Sequence, residues 1–430
     1  MKKSLSLVLC VILLFTAFSS LSAQGKADKG SGKIEIDFWN GWNGSDLAAA
    51  KAMVDEFNNS QDNIHVNFYS YLWSDLFTKL ITEYASGEPA DLICVHPFEI
   101  GQFADMGLYD AKQVEMLNLN KDDYYEAVWD GTFYKGIQYA VPFDTHMHGL
   151  FYNKEIFERS GITKAPSTGV ELIDVAIALT IDKNGKHPNE AGFDRNNIVQ
   201  YGLSFGMNHH AIFQWATLMY QQGVVPFTED MTSMTFDIKK AQTAFQWIQD
   251  LIFKYQVAPQ GETSYSDSFV NGKAAMVFGG SWDVPKFDNA QLNYGTVPYP
   301  QVFNEGYGYW AAAHIFLFPA NKNPDSAKQE ATRTFVTWLI DNSNIWVDSG
   351  YLTTKLSTWD YVASKENIAM WLDVLDGARY MPGHPLASTL FSQVAPSAFV
   401  TAYSSMILEQ GDCEKGTAKF VSDLNDVLRK

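Results

Sequence analysis

Ile34-Glu35-Ile36-Asp37-Phe38-Trp39-Asn40-Gly41-Trp42-Asn43-Gly44-Ser45 begins the stretch, residues 34–95, whose reading decides the fold. Ile34, Ile36 and Phe38 alternate with polar residues, the period of a strand. Ser45 stands where it can cap a helix that carries Leu47, Ala50, Val54 and Phe57 on one side. Ile64, Val66 and Phe68 alternate again. Leu72, Trp73, Leu76, Phe77, Leu80, Ile81 and Tyr84 then form a helical apolar stripe, ended by Ser86-Gly87. Asp91-Leu92-Ile93-Cys94-Val95 is a short continuous apolar run, as expected of a strand buried on both faces. Strand, helix, strand, helix, strand predicts an α/β fold built on a doubly wound parallel sheet. Such sheets bind ligands beyond the carboxyl ends of their strands. Here those ends are Trp39 to Asn43 and His96 to Glu99.

The alternation recurs further along. Tyr201 to Phe205 is a strand candidate, followed by an apolar helix from Ile212 to Tyr220. Phe245, Trp247, Ile248, Leu251 and Ile252 mark another helix. Ala274 to Phe278 and Ala312 to Phe318 read as buried strands, and Phe335 to Ile345 and Ile368 to Leu375 as helices. A chain of 430 residues with 46% apolar and 19% charged residues builds more than one core. Two α/β lobes fit better than one. No short internal repeat is present, which excludes a solenoid.

Lys plus Arg is 31 and Asp plus Glu is 49, a net charge of −18. That balance opposes binding to nucleic acid or to anionic lipid, both of which need basic surfaces. Three cysteines exclude a disulfide scaffold and a four-thiolate zinc site. Lys2 and Lys3, the apolar run Leu5 to Phe18, and Ser19, Ser20, Ser22 and Ala23 read as a secretory signal over residues 1–23. Cys10 leaves with it, and no cysteine stands at the cleavage point to carry a lipid. Residues 24–32 read as a flexible polar linker. The two remaining cysteines are expected to be free, Cys94 in a buried strand and Cys413 in a late polar loop.

Most catalytic signatures are missing. There is no phosphate-binding Gly-x-x-x-x-Gly-Lys loop, no Gly-x-Gly-x-x-Gly after the first strand and no His-Glu-x-x-His. Asp144 precedes His146-Met147-His148, and His-x-His on a strand puts both imidazoles on one face. No third ligand stands at a telling spacing, so the expectation is a polar lip beside a cleft and no metal or cofactor. His209-His210 follows a strand candidate and suits either a loop at a helix start or hydrogen bonding to a sugar. Glu99 and Asp283 lie near aromatics, but a glycosidase needs two carboxyls at a set separation, which sequence does not give.

Aromatic residues say more. They make up 14% of the chain, with 12 Trp, 21 Tyr and 29 Phe. Trp39, Trp42, Trp73, Phe98, Trp282, Tyr307, Tyr309 and Trp310 fall at expected strand ends. Rings there suit a sugar, whose C–H faces stack on aromatic planes while its hydroxyls seek Asp, Asn, His and Arg.

Ordered fragments along the chain resemble the family 1 extracellular solute-binding proteins, the maltose-binding-protein-like receptors of ABC importers. They are Ile34 to Trp42, Phe57-Asn58 with Ile64-His65-Val66, and Ala85-Ser86-Gly87-Glu88-Pro89-Ala90-Asp91-Leu92. Tyr139-Ala140-Val141-Pro142, Leu150-Phe151-Tyr152-Asn153-Lys154 and Asn323-Pro324 follow the same order. The most specific is Phe269-Val270-Asn271-Gly272-Lys273-Ala274-Ala275-Met276 with Gly279-Gly280-Ser281-Trp282. The chain departs from the family pattern at Pro166 to Glu171 and at Gly350 to Thr353.

The resemblance implies two lobes joined by three crossings, near Asp144, His314 and Thr358. Lobe one would hold residues 33–144 and 315–358, and lobe two 145–314 and 359–430. It implies a periplasmic, monomeric receptor that closes on a sugar and presents it to membrane permease subunits, with no catalysis. A receptor for another solute, such as a phosphorylated polyol, and a secreted glycosidase are the alternatives. The ligand-facing positions carried over are Trp39, Asn40 and Trp42, then His96, Phe98 and Glu99, then Asp144 and His146. His210, Trp215, Trp282, Asp283, Trp310 and Arg379 complete the set, with Trp282 foremost.

Overall fold

The structure is a computed structural model that describes residues 32–207, 210–224, 237–381, 383–386 and 397–428. The expected signal (1–23), residues 24–31 of the expected linker and His209 lie outside the described residues.

The first strands are β1 (Ile34–Asn40), β2 (Ile64–Ser70) and β3 (Leu92–Val95). A small hairpin of β4 (Phe133–Tyr134) and β5 (Ile137–Gln138) precedes β6 (Ala140–Pro142) and the long β7 (Asp144–Asn153). After them come β8 (Ile181–Asp182), β9 (Ile198–Phe205), β10 (Ala274–Gly280) and β11 (Tyr294–Pro298). The last are β12 (Tyr309–Ala312), β13 (Ile315–Leu317), β14 (Leu352–Thr353) and β15 (Ala378–Tyr380).

The first sheet has the order β2-β1-β3-β13-β6. β1 runs parallel to β2, from Ile34 opposite Ile64 to Asn40 opposite Ser70, and parallel to β3. β13 and β6 close the sheet antiparallel. Both faces are covered. Leu92 and Cys94 of β3 join one apolar cluster, with Phe57 and Phe335 from helices Ser45–Ser60 and Ser326–Asp341. Ile93 and Val95 join another, with Leu76 and Leu80 of helix Trp73–Ser86. Alternate residues of one strand thus serve two cores, which is why the strand reads as an unbroken apolar run. Gly87 ends the second helix in the left-handed conformation, φ 90°, as the Ser-Gly signal predicts.

The second sheet has the order β15-β12-β7-β10-β9-β8, with β11 and β14 also paired to β7. β10 runs parallel to β9 and antiparallel to β7. Helix Ala211–Gln221 packs beside β12 and is buried at every position.

Four local expectations are corrected. Ala312 to Phe318 is not one strand: β12 belongs to the second sheet and β13 to the first, and the chain changes sheets at Ala313-His314. A continuous apolar run looks the same in either case, because both strands are buried. The stretch Phe335 to Ile345 is likewise two helices, Ser326–Asp341 and Asn344–Val347. Ser45 makes no helix cap: Gly44 holds that position, and the Ser45 hydroxyl donates instead to the Trp282 carbonyl at 2.9 Å. Cys413 is no loop residue but the buried start of helix Cys413–Leu428. Cys94 and Cys413 are both free thiols.

Candidate functional site

Two passages between the sheets lie side by side. β6 gives way to β7 across Phe143 alone, and β12 to β13 across Ala313-His314. The amides of Phe143 and Asp144 both donate to the His314 carbonyl, at 3.1 and 3.3 Å. A third segment joins them, with Thr353 of β14 opposite Asp144 and the Thr354 amide on the Phe143 carbonyl.

Asp144 is the centre of this knot. It is fully buried and accepts four hydrogen bonds. Oδ1 takes the His314 amide at 2.9 Å and faces His146 Nδ1 at 3.3 Å. Oδ2 takes the Trp346 indole N–H at 2.6 Å and faces His314 Nδ1 at 2.7 Å. Burial pushes the carboxyl pKa up, but His314 and His146 more than offset this and hold it well below the usual range. Asp144 is therefore ionised. Burial pushes His314 down to about 4 against the opposing pull of Asp144, and it lowers His146 too. Both imidazoles are neutral at pH 7, with Nδ1–H donated to Asp144 and Nε2 an acceptor. Trp42 agrees with that assignment, since its indole N–H donates to His314 Nε2 at 3.1 Å.

His96 completes a trio. Its ring lies 5.2 Å from His314 and 6.4 Å from His146, and its Nδ1 meets Glu99 Oε2 at 3.3 Å. The same carboxylate oxygen accepts the His96 amide at 3.0 Å, so Glu99 closes the turn after β3 and orients the imidazole. Phe98 stacks on the His96 ring at 5.4 Å, and Trp73 leans on its other neighbours at 4.5 Å from His96 and 6.0 Å from His314.

Opposite stands an aromatic wall from the second sheet. Trp282 sits in the single 3-10 turn Ser281–Asp283 after β10; Gly279 and Gly280 belong to the strand and form no turn of their own. Its half-buried ring has centroids of His146, His148, His210, Phe213 and Trp310 within 5.5 to 6.3 Å. It packs against apolar clusters of both sheets. Trp310 stacks on Phe213 at 3.6 Å. Asp283 accepts the Tyr265 hydroxyl at 2.8 Å and the Gly280 amide at 3.1 Å, and burial raises its pKa to about 6. His148 projects from the same face of β7 as His146, but among the described residues neither of its ring nitrogens has a hydrogen-bonding partner, and burial lowers its pKa to about 3.

Residues 41–345 match the family model of the bacterial extracellular solute-binding proteins. The chain belongs to that family. This solute-binding protein is 23% identical over 337 residues to the maltotriose-binding protein of Pyrococcus abyssi, spanning 76% of this chain and 67% of the relative. Its fold resembles the maltose/maltodextrin-binding domain of Bdellovibrio bacteriovorus bound to maltotriose, with TM-score 0.78 and 19% identity over 92% of this chain and all (100%) of that one. An ABC substrate-binding protein of Listeria monocytogenes in complex with cycloalternan gives TM-score 0.77 and 20% identity, covering 92% and 99%. At such identity the likeness is one of fold: two-lobed and mixed α/β. No helix among the described residues is long and apolar enough to cross a membrane.

The solute-binding protein gathers most, not all, of the positions expected from sequence. Trp42, His96, Phe98, Glu99, Asp144, His146, His210, Trp282, Asp283 and Trp310 surround the junction described above. Asn40 shapes it indirectly: its amide donates to the Tyr69 carbonyl and its side-chain oxygen accepts the Trp42 amide. Trp39 turns to the other face of the first sheet, 5.8 Å from Tyr71 and 4.5 Å below the Lys79 ammonium. Trp215 lies in the core of the second lobe, between Phe245 at 5.7 Å and Phe399 at 5.5 Å, because every face of its helix is covered. Arg379 donates to the Asp376 and Ala378 carbonyls, a bracing of its own turn. Sequence reasoning missed Phe213, Trp346 and Tyr351. Tyr351 stands 5.1 Å from His146 and 5.4 Å from His314. Its signal is Gly350, where φ is 95° and an added Cβ would lie 2.0 Å from the Ser281 carbonyl oxygen.

Proposed function

We propose that the protein captures a sugar or oligosaccharide between its two lobes and delivers it to the permease of an ABC importer. The observation that carries this reading is the wall of Trp282, Trp310 and Phe213 facing neutral histidines at the sheet junction. Rings supply stacking planes for C–H faces, and imidazole nitrogens supply donors and acceptors that discriminate among hydroxyls. The relatives that carry sugars in their names or complexes support the same reading. In it, residues 33–144 and 315–358 move as one lobe and 145–314 and 359–430 as the other, with the paired passages at 143–144 and 313–314 as hinge. Solute favours the closed form by binding it more tightly, and the permease reads closure. The chain acts as a monomer in the periplasm, after loss of residues 1–23, and performs no chemistry on the solute.

The alternatives are less well supported. A phosphorylated polyol calls for paired Arg or Lys side chains, and none of the described residues named around His146 is cationic. A glycosidase calls for a free pair of carboxyls, whereas Asp144, Glu99 and Asp283 are each engaged by hydrogen bonds from their own fold. Thermal unfolding in the presence of a panel of sugars, with chromatography for products, tests the reading. Stabilisation by one sugar without turnover is expected. Cleavage products, or no stabilisation by any sugar, would overturn it.

A further inference from the structure

His96, His146 and His314 come from three separate parts of the chain, the end of β3, the start of β7 and the passage from β12 to β13. All three are buried, with exposures of 6, 4 and 3%. One ring nitrogen from each lies within 4.8 Å of the others. The sequence shows His-x-His without a third partner; the fold brings in two histidines, one on either side in sequence.

We propose that these three imidazoles form a binding site for one divalent transition-metal ion of the zinc class, at the boundary between the lobes. Three-histidine sites are a common catalytic and binding arrangement for zinc, with nitrogens about 2.0–2.1 Å from the metal and a fourth place for water or a solute oxygen. Tetrahedral geometry at that bond length sets nitrogens roughly 3.3 Å apart. Binding therefore draws the rings together from the spacing that the fold gives them.

The surroundings are those of a metal site. A ligating histidine gives its other ring nitrogen to a carboxylate or carbonyl, which fixes tautomer and orientation. Each of these three does so: His146 and His314 through Nδ1 to Asp144, and His96 through Nδ1 to Glu99. Nε2 is then the coordinating nitrogen in all three. Two carboxylates behind the three imidazoles also supply the negative charge that a dication needs in a buried place. Trp73, Phe98 and Trp346 pack around the rings and limit their rotation. One contact competes: the Trp42 indole N–H occupies His314 Nε2 at 3.1 Å and must be displaced when metal binds. The site stands independently of which solute the protein carries.

The test uses the whole secreted protein after treatment with a chelator. Zn2+ is titrated by calorimetry, and Co2+ by the visible bands of tetrahedral cobalt. One ion per chain is expected. His96→Gln and His146→Gln should each weaken binding by at least about a hundredfold, the upper part of the range seen even for outer-shell changes. Trp42→Phe keeps the ring but removes the competing donor, and should tighten binding. Absence of binding at micromolar zinc, or binding unchanged in His96→Gln, would overturn the site. Unchanged or weaker binding in Trp42→Phe would overturn His314 as the third ligand. His96 opens the turn after β3 and is not among the hydrogen-bond partners of Asp144 described above, so His96→Gln remains informative if His146→Gln fails to fold. Sugar-induced stabilisation measured in excess chelator separates the two claims: its persistence without any metal binding defeats the metal site alone.

Discussion

Two tryptophans on neighbouring parts of the second lobe live in different worlds. Trp215 is fully buried, with the apolar rings of Phe245, Phe399 and Phe420 at 5.5 to 5.8 Å. Trp282 is half-buried, and three of the rings around it are histidines. The first environment is that of a core, where shape alone matters. The second mixes apolar planes with hydrogen-bonding edges, and it is shared by both sheets. The histidines bring hydrogen-bonding edges to one ring, and that mixture is the reason the proposed solute site is placed there.

Replacing each tryptophan by alanine is the sharpest way to break that contrast. Trp215→Ala should cost about 3–5 kcal/mol of folding free energy, the range for deleting a large core aromatic, and leave sugar affinity in the folded fraction unchanged. Trp282→Ala should do the reverse. Sugar binding should weaken by about 2 kcal/mol or more, near thirtyfold in Kd, with a much smaller loss of stability in the sugar-free protein. Denaturant unfolding without ligand and calorimetry with it read the two quantities. Equal stability losses in the two variants would erase the distinction, and unchanged affinity in Trp282→Ala would remove that ring from the site.

His146 and His148 sharpen the comparison further. They share one face of β7, yet Asp144 holds the first while the second has no hydrogen-bonding partner among the described residues. Burial alone lowers His148 to about 3, from 6.5. The unfolded chain therefore binds a proton that the folded chain refuses, and stability falls as pH drops from about 6.5 towards 3. His148→Leu abolishes that contribution. Its stability should depend on pH less steeply than the parent's by one proton, about 1.4 kcal/mol per pH unit between pH 6 and 4. Asp283, raised to about 6, acts with the opposite sign in the same range, losing stability as pH rises. Only the difference between variant and parent isolates His148. Parallel curves would mean that the imidazole is protonated or hydrated in the folded state.

The first sheet was legible because each strand declares itself. Ile34, Ile36 and Phe38 alternate with the less buried Glu35 and Asp37, while Leu92 to Val95 run unbroken between two cores. The passage at His314 was not legible as a break, since Ala312 to Phe318 is apolar on both sides of it and the reason for the turn, Asp144, stands 170 residues away. Distance in sequence also hid the trio of histidines. Trp215 misled for a related reason. A helix buried on all faces has no polar side to reveal which residue faces a cleft. The place of Trp282 was legible as a strand end: it stands two residues past the end of buried β10, which runs parallel to β9, and it packs against the clusters of both sheets.

The smallest effect tests whether the two regions meet only on closure. Ser45 begins the first helix of the first lobe, and its hydroxyl donates to the Trp282 carbonyl at 2.9 Å. A hydrogen bond between lobes stabilises only the form in which they touch. Ser45→Ala removes it without emptying a core. The net value of one such bond is about 0.5–1.5 kcal/mol, so sugar should bind about twofold to tenfold more weakly. The sugar-free protein, if its lobes part in solution, should unfold at the same denaturant concentration as the parent. Ser45→Thr keeps the donor and should restore affinity. A loss of sugar-free stability with unchanged affinity would show that the lobes stay together without solute, and that Trp282 is held by the fold and not by closure.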